Sequence, residues 1–502
     1  MLVFQATFAQ AAVQAAIPEA SAAPSPTAEP ATPSSSPADT SPAAPTDTPT
    51  PTPTASPTPT AKPTPAPTPL DPQTGLKDGA TEVVDKRTES SQTFDNHDGT
   101  YSTVLSSAPQ FYQPAGSSDW QPIALGFAKG AKTDELTGSV PVVTSDQAPS
   151  TVSLFDLTSK DFVTVTDKAQ SIGFGLPLDA AKTAKPTDPI VDGISADYTG
   201  IQQDVDLRIL AQAMGSKAFL ILHSMPADPS YTFRVDAPGL TLASQDDGSI
   251  SLIDASGKTV ATIPHPYALD STDDPLSGGG RYTDQASVVV GKDTDGAPTI
   301  TISLDPAWLK TATFPVYLDP SAQFLSTNNT FDAHTASAFP SANYHAYQRP
   351  DSPFYYEMWL GTDPSGTSGT SYDFISWDLS SIGAVTVDST SVSTHPYHQY
   401  YASPTVERSW IGIPTASWTE AGITWSNQPS AGANITFIDG VQGSTTASNP
   451  ASPLDAAVQG WIDGTTANHG IRIWENGNGS TYWKRLIASE DSTNTSWRPT
   501  LT

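Results

Sequence analysis

The sequence predicts an all-β protein carried on a disordered, Pro/Thr-rich N-terminal stalk. Three observations lead there. Short runs of β-branched and aromatic residues recur between turn signals, from Thr151-Val-Ser-Leu-Phe155 to Thr299-Ile-Thr-Ile-Ser303. Dipeptides suited to tight hairpins, Asp247-Gly248 and Ser256-Gly257, separate consecutive runs. Helical periodicity is scarcely visible, so nothing competes with the strand reading.

Taken in order, residues 1–17 hold a short apolar run followed by Ala-rich sequence. The run is too short and too polar, with Gln5, Gln10 and Gln14, to span a bilayer. The first basic residue of the chain is Lys62, so the segment reads as the remnant of a secretory signal whose start lies upstream. Residues 18–80 form a linker, and up to residue 70 about a third of it is proline by count. With so little apolar surface to bury, that tract is expected to stay an extended, polyproline-like spacer.

Residues 81–320 are expected to form a β-rich, sandwich-like region of one or two units. Its strands are read at Thr151–Phe155, Phe162–Thr166, Lys217–Leu222, Tyr231–Val235, Ser249–Ile253, Thr259–Ile263, Ala286–Val290 and Thr299–Ser303. Residues 321–502 are expected to form a second β module, the two meeting near Asp319-Pro320, where the motif set changes.

Composition narrows the function classes. The chain of 502 residues has no cysteine, which excludes a disulfide framework, a thiolate metal site and a Cys nucleophile. Its formal charge of −29 argues against nucleic-acid partners and anionic membranes, which favour a basic stripe. No Gly-x-Ser-x-Gly, Walker or His-Glu-x-x-His motif occurs, and the reading is of a protein that is not an enzyme. Gly278-Gly-Gly280 reads as a flexible loop, and Asp293-Thr-Asp-Gly296 and Asp95-Asn-His-Asp98 read as turns. A structural calcium ion has no support, because neither acidic turn carries the distal Glu of an EF-hand. The spacing of His395 and His398 does not place both imidazoles on one strand face, so no metal and no cofactor are expected.

The segment Trp418-Thr-Glu-Ala-Gly-Ile-Thr-Trp-Ser-Asn-Gln-Pro429 reads as a strand, Ile423-Thr424-Trp425, closed by a polar turn. With Phe374-Ile-Ser-Trp-Asp-Leu-Ser-Ser-Ile382, a Val458–Ile471 stretch read as strand-turn-strand, and Ser489-Glu490 followed by Arg498-Pro-Thr-Leu501, it resembles the motif set of the DNRLRE-domain proteins. That resemblance covers roughly 323–502 and implies a jelly-roll-like sandwich, similar to carbohydrate-binding modules, in secreted and wall-associated bacterial proteins. The usual closing strand continues further, so the module is read as truncated at its C-terminus. Asp247-Gly-Ser-Ile250 and Phe314-Pro-Val-Tyr-Leu-Asp-Pro320 resemble segments that precede such modules in YD-repeat, Rhs-like wall-associated proteins.

Nine of the eleven tryptophans lie at or beyond Trp359. Trp418, Trp425 and Trp461 are assigned to the core. Alternation places Trp474 beside Arg472 and Trp483 beside Arg485, each pair opposite its strand's apolar residues, with Glu475–Ser480 as a hairpin loop between the two strands. These four residues are the expected carbohydrate-binding site, stacking on sugar rings and favouring an acidic polysaccharide. The function expected is that of a non-catalytic, extracellular carbohydrate-binding or cell-wall-associating module. The alternative is a structural spacer of a large YD-repeat-type exported protein with no small-ligand activity.

Overall fold

The computed structural model describes residues 76–502, apart from 168–169, 325–330, 345–346, 350–355, 402–405, 442–446, 449–452, 476–481 and 492–494. The signal-like segment, the stalk as far as residue 75 and most of the expected 475–480 loop lie outside the described residues. Those described all fall within one compact unit, Ala66–Thr502. The architecture is all-β, built on antiparallel sheets. No helix among the described residues is long and apolar enough to cross a membrane.

Every strand read between residues 151 and 303 is present, within about two residues of its expected ends (Ser150–Leu154, Val163–Asp167, Gly215–Leu222, Ser230–Asp236, Ile250–Ile253, Thr259–Ile263, Ala286–Lys292 and Pro298–Leu304). They divide between two sheets whose inner faces make one core. Val152, Val165, Phe174 and Ile300 come from one sheet, and Leu207, Leu220, Leu252 and Ile263 from the other. Both expected hairpin turns form. At the first, Gly248 takes φ +82° and Asp247 accepts the Ser249 amide at 2.9 Å.

A second core lies among Met358, Leu360, Ile375, Trp377, Ile411, Ile471, Ile473 and Leu486. Strand Tyr101–Ser106 contributes Leu105 to it by pairing with Thr500–Leu501, Leu105 opposite Leu501. Two local expectations fail here. Pro453–Ile462 is an α-helix rather than a strand, and it packs Leu454, Val458 and Trp461 inward. Ile423-Thr424-Trp425 is not a strand. The Asn427 side chain accepts the Thr424 amide at 2.7 Å and donates to the Gly422 carbonyl at 2.8 Å, and side-chain bonds of this kind replace a ladder with a turn. Ile423 and Trp461 are buried, whereas Trp418 and Trp425 are only half-buried.

The cores meet through aromatic rings. Tyr267 and Tyr282 pack against Tyr347 and Trp359 with centroids 5.1 and 5.6 Å apart, and Trp359 reaches Trp483 at 5.8 Å. Direct bonds cross the same seam: Gln212 Nε2 donates to Tyr356 Oη at 2.8 Å, and Trp483 Nε1 donates to the Ser277 carbonyl at 2.9 Å. Gly278-Gly-Gly280 is part of this contact and is closely packed. A Cβ on Gly278 would come within 2.6 Å of the His398 ring, one on Gly279 within 3.0 Å of Arg485, and one on Gly280 would collide with the Asp270 carbonyl.

Candidate functional site

Strand Ile471–Glu475 lies between strands Thr370–Ser376 and Val406–Gly412, and the last of these also pairs with Thr436–Val441. Alternation sends Ile471, Ile473, Ile411 and Ile438 into the core. Arg472, Trp474, Trp410 and Phe437 therefore occupy the opposite face, all of them half-buried. Trp410 is directly opposite Trp474 on one side and Phe437 on the other. This gives a cross-strand row of three aromatic side chains.

Two guanidinium groups lie over that face. Arg472 Cζ is 4.1 Å from the Tyr372 ring centroid and 5.6 Å from Trp474. Arg408 Cζ is 3.4 Å from Phe437 and 5.7 Å from Trp410. Tyr372 in turn stacks on Trp425 at 4.8 Å with 21° between planes. Because the strands are antiparallel, the arginines flank the tryptophan pair from opposite ends. Burial pulls the Arg472 guanidinium below its ordinary pKa, and it remains a cation at neutral pH. Gly412 makes room for the row, since a Cβ there would come within 2.9 Å of the Trp474 ring.

The structure divides the four residues expected to act together. Strand Tyr482–Ile487 does not pair with Ile471–Glu475; it pairs with Glu357–Thr362 and Pro396–Tyr401. Trp483 is fully buried and Arg485 nearly so, which corrects the expectation that both stand on an outward face. Alternation fixes only which side of a strand a residue takes, and this side is covered by the Tyr267–Tyr282 stretch of the first core. Arg485 donates from Nε to the Ser277 carbonyl at 2.6 Å and from Nη1 to buried Glu357 at 2.6 Å. Trp474 and Arg472 keep their half-buried setting, with Trp410, Arg408, Phe437 and Tyr372 as companions. A sequence signal for these existed: Arg408-Ser-Trp410 and Arg472-Ile-Trp474 repeat one Arg-x-Trp pattern on neighbouring strands.

The histidines read as a weak pair are held separately. His395 stacks on Trp497 at 4.0 Å, and His398 is hydrogen-bonded through Nε2 to the Leu276 carbonyl at 2.9 Å. Among the described residues no group of three His, Asp or Glu side chains is placed to hold a metal ion.

No family model matches the chain. It is 28% identical over 431 residues to the tRNA nuclease WapA of Bacillus subtilis strain 168, an alignment covering 84% of this chain and 18% of that protein. The tRNA3(Ser)-specific nuclease WapA of Bacillus spizizenii is 27% identical over 426 residues, 82% of this chain and 17% of its own length. A Geobacillus stearothermophilus protein named wall-associated protein is 25% identical over 215 residues, 41% of this chain and 81% of that protein. This chain is similar to proteins named for the wall. Among solved structures, the N-terminal domain of the Streptococcus gordonii adhesin Sgo0707 aligns at a TM-score of 0.13 and 6% identity, over 72% of this chain and 81% of that one, too loosely to inform the fold.

These relatives bear out the resemblance to wall-associated proteins and correct the expectation that the protein is not an enzyme, since those aligned with most of the chain are named nucleases. The chain spans less than a fifth of their length. Missing hydrolase motifs within 502 residues do not bear on the activity of so much longer a protein.

Proposed function

We propose that this chain is the wall-associating, glycan-binding part of an exported protein of the WapA kind, and that the Trp410–Trp474 pair, flanked by Arg408 and Arg472, is where the glycan lies. The supporting observation is the cross-strand row itself. Indole faces on the outer side of a sandwich give sugar rings a flat apolar surface, and the adjacent guanidinium groups supply orientation and charge. Two cations on one face of a chain with a formal charge of −29 favour an acidic polysaccharide. The motifs resembling the DNRLRE modules support the same reading, as do the relatives named for wall association. The nuclease activity in the other relatives' names is, on this reading, a property of the complete protein to which such a part belongs.

The test is binding of the full chain to neutral and uronic-acid polysaccharides, with Trp410→Ala, Trp474→Ala and the double variant. Uronic-acid polymers should be preferred, and the double variant should lose binding about tenfold or more while keeping its circular dichroism spectrum. Binding retained in a folded double variant would refute the site. A wild type that binds no glycan would favour a spacer.

A further inference from the structure

Lys217 Nζ lies 2.6 Å from Asp319 Oδ2, and the two side chains are only 4% and 3% exposed. Full burial is rare for either residue type, because each charge must be taken out of water. The backbone fixes the pair. Lys217 belongs to strand Gly215–Leu222, which pairs with both Val316–Leu318 and Ala322–Phe324. The connection Asp319-Pro-Ser321 between those two strands is therefore held alongside it. Aromatic rings enclose the amine, with the Tyr267 centroid 4.8 Å and the Phe219 centroid 5.8 Å from Nζ.

The other carboxylate oxygen is held separately. Asp319 Oδ1 accepts from the Ser321 amide at 2.7 Å and from the Ser321 hydroxyl. That hydroxyl is oriented in turn, since its oxygen accepts from the Ala218 amide at 3.2 Å. An amine beside one oxygen and two donors on the other is what acyl transfer requires. The donors sit where negative charge gathers in a tetrahedral intermediate, and the contact supplies proximity without any diffusional step.

We propose that Lys217 and Asp319 condense into an intramolecular amide, a covalent staple at the junction near Asp319-Pro320. One ammonium proton passes to Oδ2, leaving an amine and a carboxylic acid. The amine attacks Cγ, the Nζ–Cγ bond forms, and charge moves onto Oδ1 beneath the Ser321 donors. A second Nζ proton moves to the Oδ2 hydroxyl, the Cγ–Oδ2 bond breaks, and Oδ2 leaves as water. No oxidant, reductant or further reactant is needed. Two buried charges become one neutral amide, so burial favours the product, and exclusion of water protects it from hydrolysis. A chain with no cysteine has no disulfide to reinforce it, and this amide joins positions 102 apart, constraining the unfolded chain as a disulfide across that span does. The staple is independent of the aromatic row.

The experiment is mass spectrometry of the purified full chain, intact and after denaturation and trypsin digestion. The intact wild type should be lighter than its sequence by one water. Trypsin should leave the bond after Lys217 uncut and release a branched product that joins the Lys217 and Asp319 segments. Lys217→Arg should have the full mass of its own sequence and give no branched product. The wild-type measurement decides the matter even where that variant fails to fold. Separate Lys217 and Asp319 peptides at their full masses would mean an ion pair only and overturn the proposal. A missing water that persists in Lys217→Arg, or maps to other residues, would overturn it too.

Discussion

Replacing Trp483 by alanine tests the seam between the two cores. The indole has no exposed surface, and its ring lies 5.8 Å from Trp359 within a cluster that also holds Tyr267, Tyr282 and Phe219. Truncating a buried tryptophan costs about 3–5 kcal/mol through lost transfer energy and the cavity left behind. The lost Nε1–H bond adds at most about 1 kcal/mol, because the Ser277 carbonyl still accepts from Arg485 at 2.6 Å and is not orphaned. A loss of roughly 4 kcal/mol is a large share of the 5–15 kcal/mol by which proteins are ordinarily stable. Urea unfolding of the full chain, followed by far-ultraviolet circular dichroism, measures it. Trp474→Ala on the half-buried face should cost about 1 kcal/mol or less by the same assay. A Trp483→Ala loss below about 1 kcal/mol, at unchanged denaturant slope, would show that this indole is not buried as described.

Further outcomes follow from the same structure. Arg485→Met should destabilise by about 3–5 kcal/mol, since it leaves Glu357 charged, buried and without its cation, and Glu357→Gln in the same chain should recover part of that loss. Gly280→Ala should cost more than 1 kcal/mol because its Cβ meets the Asp270 backbone, whereas Gly383→Ala, with open space around it, should be neutral; equal effects would contradict the packing of the triglycine stretch. Stability should fall as pH rises from about 4, where an unfolded aspartate ionises, towards the raised folded-state pKa values of two buried carboxyls. Burial raises the pKa of Asp332 and of Asp373, whose carboxylate oxygens have no hydrogen-bond partner, so the fold keeps protons that the unfolded chain has released above about pH 4. Each retained proton costs about 1.4 kcal/mol per pH unit until the folded-state pKa is passed. His334 works in the opposite sense, because burial holds it neutral while the unfolded chain protonates below about pH 6.5, so a variant comparison at each pH separates the carboxyls from it. Asp373→Asn should flatten the fall of the melting temperature with rising pH, and an unchanged slope would contradict its retained proton.

The sequence was most informative where local chemistry decides the outcome. The period-2 runs of the first sandwich and the Gly248 and Gly257 turns need only neighbouring residues, and they form as read. The helix at Pro453–Ile462 was equally legible, since Leu454, Val458 and Trp461 follow the four-then-three spacing of a buried helical stripe; a family motif read as strand masked it. The Ile423–Trp425 turn was harder to see, because its strand-forming residues are overruled by one side chain, Asn427. In the candidate site, alternation placed Arg472 and Trp474 opposite the core isoleucines. Whether a non-core face meets water depends on what crosses it, and Ser277, some 200 positions from Trp483, carries no local signal of that contact.

The claim that the outer aromatic row holds a wall glycan is tested most directly by cosedimentation of the purified full chain with isolated Gram-positive cell walls. The wild type should pellet with the walls, and the folded Trp410→Ala/Trp474→Ala variant should stay largely in the supernatant. Equal pelleting of the two proteins would contradict it.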